Sequence, residues 1–102
     1  EVIKTIEIGK QGKHIKEHNN YIPGRSYLTI SIEEAQELVD KYAGTGELIR
    51  DSKGNWNNKE VIKADKDIGI YVDLETGMEF KTNRFTIHYS KKGVHIVPAK
   101  RR

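Results

Sequence analysis

The chain has 102 residues, a formal net charge of +3 and no cysteine. That length allows one modest core, the lack of cysteine excludes disulfide and thiolate chemistry, and no apolar run approaches the ~20 residues of a membrane span. Hydrophobic residues make up 35% and charged residues 32%, so the core must be lean, while the mild basicity favours a polyanionic partner.

Residues 1–102 read as a single domain. No signal-peptide pattern is present, and the first residue is Glu1, which suggests the terminal module of a larger polypeptide. The segment Glu1–Ile8 is apolar at Val2, Ile3, Ile6 and Ile8 and fits a short strand or an irregular helix equally well. Gly9 and Gly12 then bracket a basic stretch, Lys10-Gln11-Gly12-Lys13-His14. The stretch from His18 to Ser26 reads as a loop, with a type II turn predicted at Pro23-Gly24. Ser31 predicts an N-cap, with Glu34 as its capping-box partner. Ile32, Ala35, Leu38, Val39 and Tyr42 fall on one face of the helix that follows, and Gly44 stops it.

After Gly46 the pattern changes to period two. Strands are predicted at Glu47–Arg50, Glu60–Ala64, Ile68–Asp73, Met78–Ser90 and Val94–Ala99, with turns at Ser52–Asn55 and Leu74–Gly77. The expected class is α+β, an N-terminal helical segment packed on a four- to five-stranded antiparallel sheet. In the last hairpin a Lys92-Gly93 turn would pair Ser90 with His95 and Tyr89 with Ile96. Phe85, Ile87, Tyr89, Val94 and Ile96 then share a core face, and Arg84, Thr86, His88, Ser90 and His95 share the other.

That second face suggests chemistry. Cleaving RNA without a metal needs a base for the 2′-hydroxyl, an acid for the leaving 5′-oxygen and a cation for the phosphorus oxygens. Histidine suits the first two roles and lysine or arginine the third. His14 and His88 are the expected proton-transfer pair, Lys13 and Arg84 the phosphate holders, and Thr86 and Ser90 orienting groups. Lys10, Gln11, Tyr21, Arg25, Lys91 and His95 are candidate substrate contacts. Trp56 could stack on a base, although core packing is the simpler reading. His14-Ile15-Lys16-Glu17-His18 matches the H-x-x-E-H pattern of zinc proteases, but Gly12 before it and Asn19-Asn20 after it argue against the helix that pattern needs. Asp65, Asp67, Asp73 and Glu75 read as turn chemistry. No P-loop, nucleotide-binding glycine fingerprint or nucleophile elbow is present, so neither a cofactor nor a metal is expected.

The runs Gly9–Ile15, His18–Tyr21 and Pro23–Ser26 resemble the polymorphic toxin type 50 domain, also called bacterial toxin 50. The likeness continues through Tyr42–Gly46, Trp56–Glu60, Ile87–Gly93 and His95–Pro98. The resemblance implies a fold and activity like those of the barnase, EndoU, colicin and RelE-like nucleases, with an N-terminal helix before a four-stranded antiparallel sheet. It also implies a warhead that is secreted or delivered into a target cell's cytoplasm, cleaves RNA there, and is held in check by an immunity protein, expected to be acidic. The family's K-H-I motif falls on Lys13-His14-Ile15, and its late strand motif on Arg84, His88 and Ser90. The competing expectations are a non-catalytic RNA-binding or structural domain of a phage head-associated protein, a DNase, or a zinc hydrolase.

Overall fold

The computed structural model describes residues 2–101; Glu1, part of the undecided first segment, lies outside them. The fold combines two antiparallel sheets with two α-helices and a 3-10 turn. The first helix, α1 (Ile8–Gln11), is a single turn that runs into the 3-10 turn Gly12–His14. A short strand β1 (Tyr27–Leu28) precedes α2 (Ile32–Tyr42). Six strands follow: β2 (Glu47–Arg50), β3 (Trp56–Lys63), β4 (Gly69–Val72), β5 (Glu79–Thr82), β6 (Arg84–Ser90) and β7 (Gly93–Ala99). The large sheet has the order β2-β3-β6-β7 and the small one β1-β4-β5.

The helix α2 forms as its sequence predicts. The Ser31 hydroxyl accepts from the Glu34 N–H at 3.1 Å, and the Ser31 N–H donates to the Glu34 carboxylate at 3.1 Å. Gly44, at φ +90°, ends it. Its inner face sets Ala35 and Val39 against Ile62, Phe85, Ile87 and Ile96 of the large sheet, all in one buried cluster.

The expected single sheet is corrected to two, and the reason is a corner. The expected strand Met78–Ser90 breaks at Asn83, where the chain passes from β5 to β6. Opposite it, residues 64–68 leave the ladder, yet Ala64 and Ile68 still donate to the Asn83 and Thr82 carbonyls at 2.8 and 2.9 Å. The buried Asn83 amide donates to the Ala64 carbonyl at 2.9 Å and holds the bend. One long hairpin thus serves both sheets. The expected helical layer is also only partly matched, since the N-terminal helix is one turn long and α2 follows a strand.

The last hairpin corrects the predicted register. His88 pairs with His95, Ile87 with Ile96, Tyr89 with Val94 and Ser90 with Gly93, so the turn is Lys91-Lys92. Gly93 is not in the turn. It opens β7 at φ +139°, and the Thr5 carbonyl occupies the space a side chain would need. That carbonyl accepts from the Val94 N–H at 2.9 Å, and the Glu7 N–H donates to the Val94 carbonyl at 2.7 Å. The slip is two residues, which returns every side chain to its own face. The predicted division into core and polar faces therefore survives the change of register.

The N-terminal segment follows the outer edge of β7. Ile6 bridges Val94 in parallel. Farther on, the Gln11 side chain replaces a strand: its amide nitrogen donates to the Ile96 carbonyl at 2.8 Å and its oxygen accepts from the Ile96 N–H at 2.7 Å. Gln11 is fully buried, so these two bonds complete backbone groups that water does not reach.

On the core face Glu60 is also buried. Its carboxylate accepts from the Gly44 N–H at 3.0 Å, the Gly46 N–H at 2.7 Å and the Tyr89 hydroxyl at 2.6 Å. This ties the exit of α2 to the sheet.

Replacing Gln11 by Leu keeps the volume but strands the Ile96 N–H and carbonyl. Each buried unpaired group costs about 1–3 kcal/mol, so denaturant unfolding of Gln11→Leu should show a loss of roughly 2–4 kcal/mol. The Ile96 amide should exchange with solvent faster. Unchanged exchange at Ile96 would contradict the assigned role of Gln11.

Candidate active site

Because the Gln11 clamp holds the chain against β7, the 3-10 turn delivers His14 beside the last hairpin. The ring of His14 lies parallel to that of His95, at 6.1 Å between centroids and 7° between planes. His95 stacks on its cross-strand partner His88 at 4.6 Å and 21°. The three rings form a column of His14, His95 and His88, built from both ends of the chain.

Each ring has a distinct setting. His14 is buried, and its Nδ1 lies 2.8 Å from the Ser26 carbonyl. A carbonyl only accepts, so Nδ1 carries the proton and Nε2 presents a lone pair. Ser26 is itself fixed, since its hydroxyl accepts from the Val72 N–H at 3.0 Å. The small sheet thereby sets the tautomer of a residue that faces the large one. His88 and His95 are half-buried, and their register and stacking hold them in place.

The column sits in a positive field. Burial is the main cause that lowers the proton affinity of all three histidines. It brings His88 to about 4, with Lys59 and His14 adding to the effect. His95 also falls to about 4, through burial, His88, His14, Lys10 and Lys13. His14 is lowered by burial, against the pull of the Ser26 carbonyl, and further by Arg25 and Lys13. At neutral pH the column is uncharged and ringed by cations, an arrangement complementary to an anion.

The predicted site residues fall into three groups. His14, Lys13, Lys10, Arg25, His88 and His95 converge on the column. Thr86 and Arg84 share the face of His88 but stand one and two residue pairs farther along β6, opposite Val61 and Lys63. Of the remaining predicted residues, Gln11, Ser90 and Tyr21 have local structural partners. Gln11 is buried against Ile96. Ser90 caps the turn by donating to the Gly93 carbonyl at 3.0 Å. The Tyr21 hydroxyl donates to the Arg25 carbonyl at 3.4 Å. Lys91, in the turn, borders a cleft of about 570 Å³ that is also lined by Trp56 and Tyr89. The Tyr89 hydroxyl of that cleft donates to Glu60, and burial together with this bond raises its pKa. Among the described residues, by contrast, no carboxylate is paired with the imidazoles of the column. Trp56 is half-buried, edge-on to Tyr89 at 5.2 Å, and is not a core residue.

Lys59, which pairs across the sheet with His88, was missed because the strand was predicted to start at Glu60. Ser26 was missed because it reads as an ordinary loop residue. The H-x-x-E-H segment is not helical beyond His14. His18 turns to accept from the Asn20 N–H at 3.0 Å, so the two histidines do not face a common point. Among the described residues no group of three His, Cys, Asp or Glu side chains is arranged to hold a metal ion.

The model of one toxin family, bacterial toxin 50, matches residues 6–98. The chain belongs to the bacterial toxin 50 family. No curated protein matches it. The matched residues include the whole column, with Lys13 and Lys59. Among the described residues no helix is long and apolar enough to cross a membrane.

The histidines also make stability depend on pH. Folding lowers their pKa from 6.5 to about 4 at His88 and His95, so the unfolded chain binds more protons below about pH 6.5. Their effect is absent above that pH and destabilises increasingly as pH falls toward 4. The melting temperature should drop over this window, inorganic phosphate should restore part of it, and His95→Gln should flatten the drop. A His95→Gln variant that loses stability as steeply as the parent would refute this account.

Proposed function

We propose that this domain is a metal-independent endoribonuclease toxin. The observation that carries the reading is a column of three neutral histidines within a ring of lysines and arginine. In the reaction the 2′-oxygen bonds to the adjoining phosphorus as the bond from phosphorus to the 5′-oxygen breaks, leaving a 2′,3′-cyclic phosphate and a free 5′-hydroxyl.

His14 takes the proton of the 2′-hydroxyl on Nε2, the nitrogen left free by the Ser26 contact. His95 protonates the departing 5′-oxygen. Their parallel rings at 6.1 Å suit an in-line displacement, in which attacking and leaving oxygens lie on opposite sides of phosphorus. His88 stacks behind His95, and the two rings carry at most one proton between them, because two imidazolium rings at that spacing repel. Lys13 and Lys10 stabilise the developing negative charge. The sequence suggests His14 and His88 as the pair; the proposed mechanism uses His95 instead, because its ring stacks between the other two, and leaves Arg84, farther along β6, out of contact with the same phosphate. A bound phosphate raises the proton affinity of the column and supplies the charged form that the acid role needs.

As a toxin warhead the domain would be carried by a larger bacterial protein, delivered to a target cell's cytoplasm, and silenced by an immunity protein whose acidic surface covers the column. Association with such a partner should slow as salt rises.

His14→Ala and His95→Ala should each lower RNA cleavage by roughly 10²- to 10⁴-fold, with the double variant little worse than the worse single. His88→Ala should lose less and should move the acidic limb of the pH profile upward, since its removal relieves both burial and repulsion at His95. The base must be neutral and the acid charged, so kcat/KM should peak between about pH 4 and 6.5 and decline toward pH 8. EDTA should have no effect, and DNA, which lacks the 2′-hydroxyl, should be inert. A folded His14→Ala protein that cleaves at the parent rate would overturn the reading. Loss of cleavage on metal removal, regained with zinc, would replace it with a metal mechanism.

A further inference from the structure

Arg84 stands four residues from His88 on the same face of β6, which at a strand rise of ~3.4 Å per residue places it ~14 Å away. Its cross-strand partner on β3 is Lys63. Together with Asn83 and Arg101 these residues line a cleft of about 350 Å³. Arg101 is held there by donating Nε to the Asn83 side-chain oxygen at 3.3 Å. The same Asn83 side chain is fixed by its bond to Ala64.

Among the described residues the charge of this cleft is not balanced. The carboxylate that answers it is Asp67, 3.8 Å from Arg101, and both groups are substantially exposed, so the pair contributes little. Arg84 is half-buried, and its Nε is buried with no hydrogen-bond partner among the described residues. An unpartnered guanidinium donor in a cationic cleft is a standing cost, and an oxyanion bound by the fork would offset it. Between this cleft and the histidines the face carries Val61, Thr86 and Val97, aligned across three strands. The carboxylate in that row, Glu47, lies beyond Val61 on the edge strand β2. The two cationic sites are therefore joined by a neutral, half-buried floor.

We propose that Lys63, Arg84 and Arg101 form a second phosphate site, which holds the RNA chain at a phosphodiester away from the one being cut. The ligand's name rests on the reading of the column as an RNA-cleaving site, but the cleft's own geometry carries the site. Its consequence is a length requirement: a substrate must reach from the column to Arg84 to engage both sites, and a dinucleotide cannot.

The test reads binding, not turnover. A fluorescent single-stranded octanucleotide and a dinucleotide, both 2′-O-methylated so that neither can be cut, are titrated with the full chain. Lys63→Ala/Arg84→Gln should weaken octanucleotide binding about tenfold and leave the dinucleotide unchanged. It should also reduce the slope of log K against log salt by about 0.7 for each phosphate that the variant no longer neutralises. Lys41→Ala/Lys53→Ala, which removes equal charge elsewhere, should change neither. If Arg84→Gln does not fold, Lys63→Ala/Arg101→Ala tests the same cleft. The proposal is overturned if the octanucleotide binds as before, does not bind the parent protein, or loses no more than the dinucleotide or the control. Unmodified RNA left intact by the parent protein would defeat the catalytic reading alone, whereas cleaved RNA without the length effect would defeat the second site alone.

Discussion

The arrangement of this domain depends on one side chain standing in for a strand. β7 is the last strand of its sheet, and a buried edge must find partners for its N–H and carbonyl groups. The backbone of Thr5–Glu7 supplies them at Val94, and the Gln11 amide supplies them at Ile96. A backbone strand at both places would run straight past the hairpin. A side-chain amide at the second lets the backbone turn away, and the 3-10 turn that follows carries His14 over the edge to His95. The same clamp sets the hairpin register, because it brings the Thr5 carbonyl to a position that only glycine can accept.

The two sheets divide the work. The large one carries His88, His95 and Lys59 in one row and buries its other face under α2. The small one contributes no ring to the column, but through Val72 and Ser26 it fixes which nitrogen of His14 bears the proton. The bend at Asn83 couples them, since one hairpin crosses from one sheet to the other. A mutation in β4 can therefore alter the tautomer of His14 without touching the column, by moving the Ser26 carbonyl.

Much of the large sheet was legible in the alternation of Phe85, Ile87, Tyr89, Val94 and Ile96, because burial of one face leaves a period-two signal that survives a two-residue slip. The helix was legible in Ser31 and Glu34, whose cap is local. What was not legible is non-local. Nothing around Gln11 indicates that its amide pairs with a residue 85 positions away, and by residue type it looks like a polar surface contact. Asn83 sits within a continuous strand pattern, and its role as a corner depends on Ala64. His95 looked peripheral because the predicted register placed it near the hairpin tip; the two-residue correction moves it beside His88 and into the column. Lys59 and Ser26 lie outside any recognisable motif and matter only through what they face.

The column is a poor choice for stability alone. Three imidazoles are partly stripped of water and placed beside Lys10, Lys13, Arg25 and Lys59, cations that oppose their protonation. Apolar residues of the same size would pack there without that cost. Sites of this kind keep polar groups poised for a ligand at the expense of the empty fold, and the sign of the imbalance is the one that an anion would offset. An anion at the column would offset the positive field and raise the proton affinity of the imidazoles, which is how the proposed reaction would obtain its acid. On the proposed reading, binding and activation would be one electrostatic event: the free domain holds neutral histidines, and the bound phosphate would bring about their protonation.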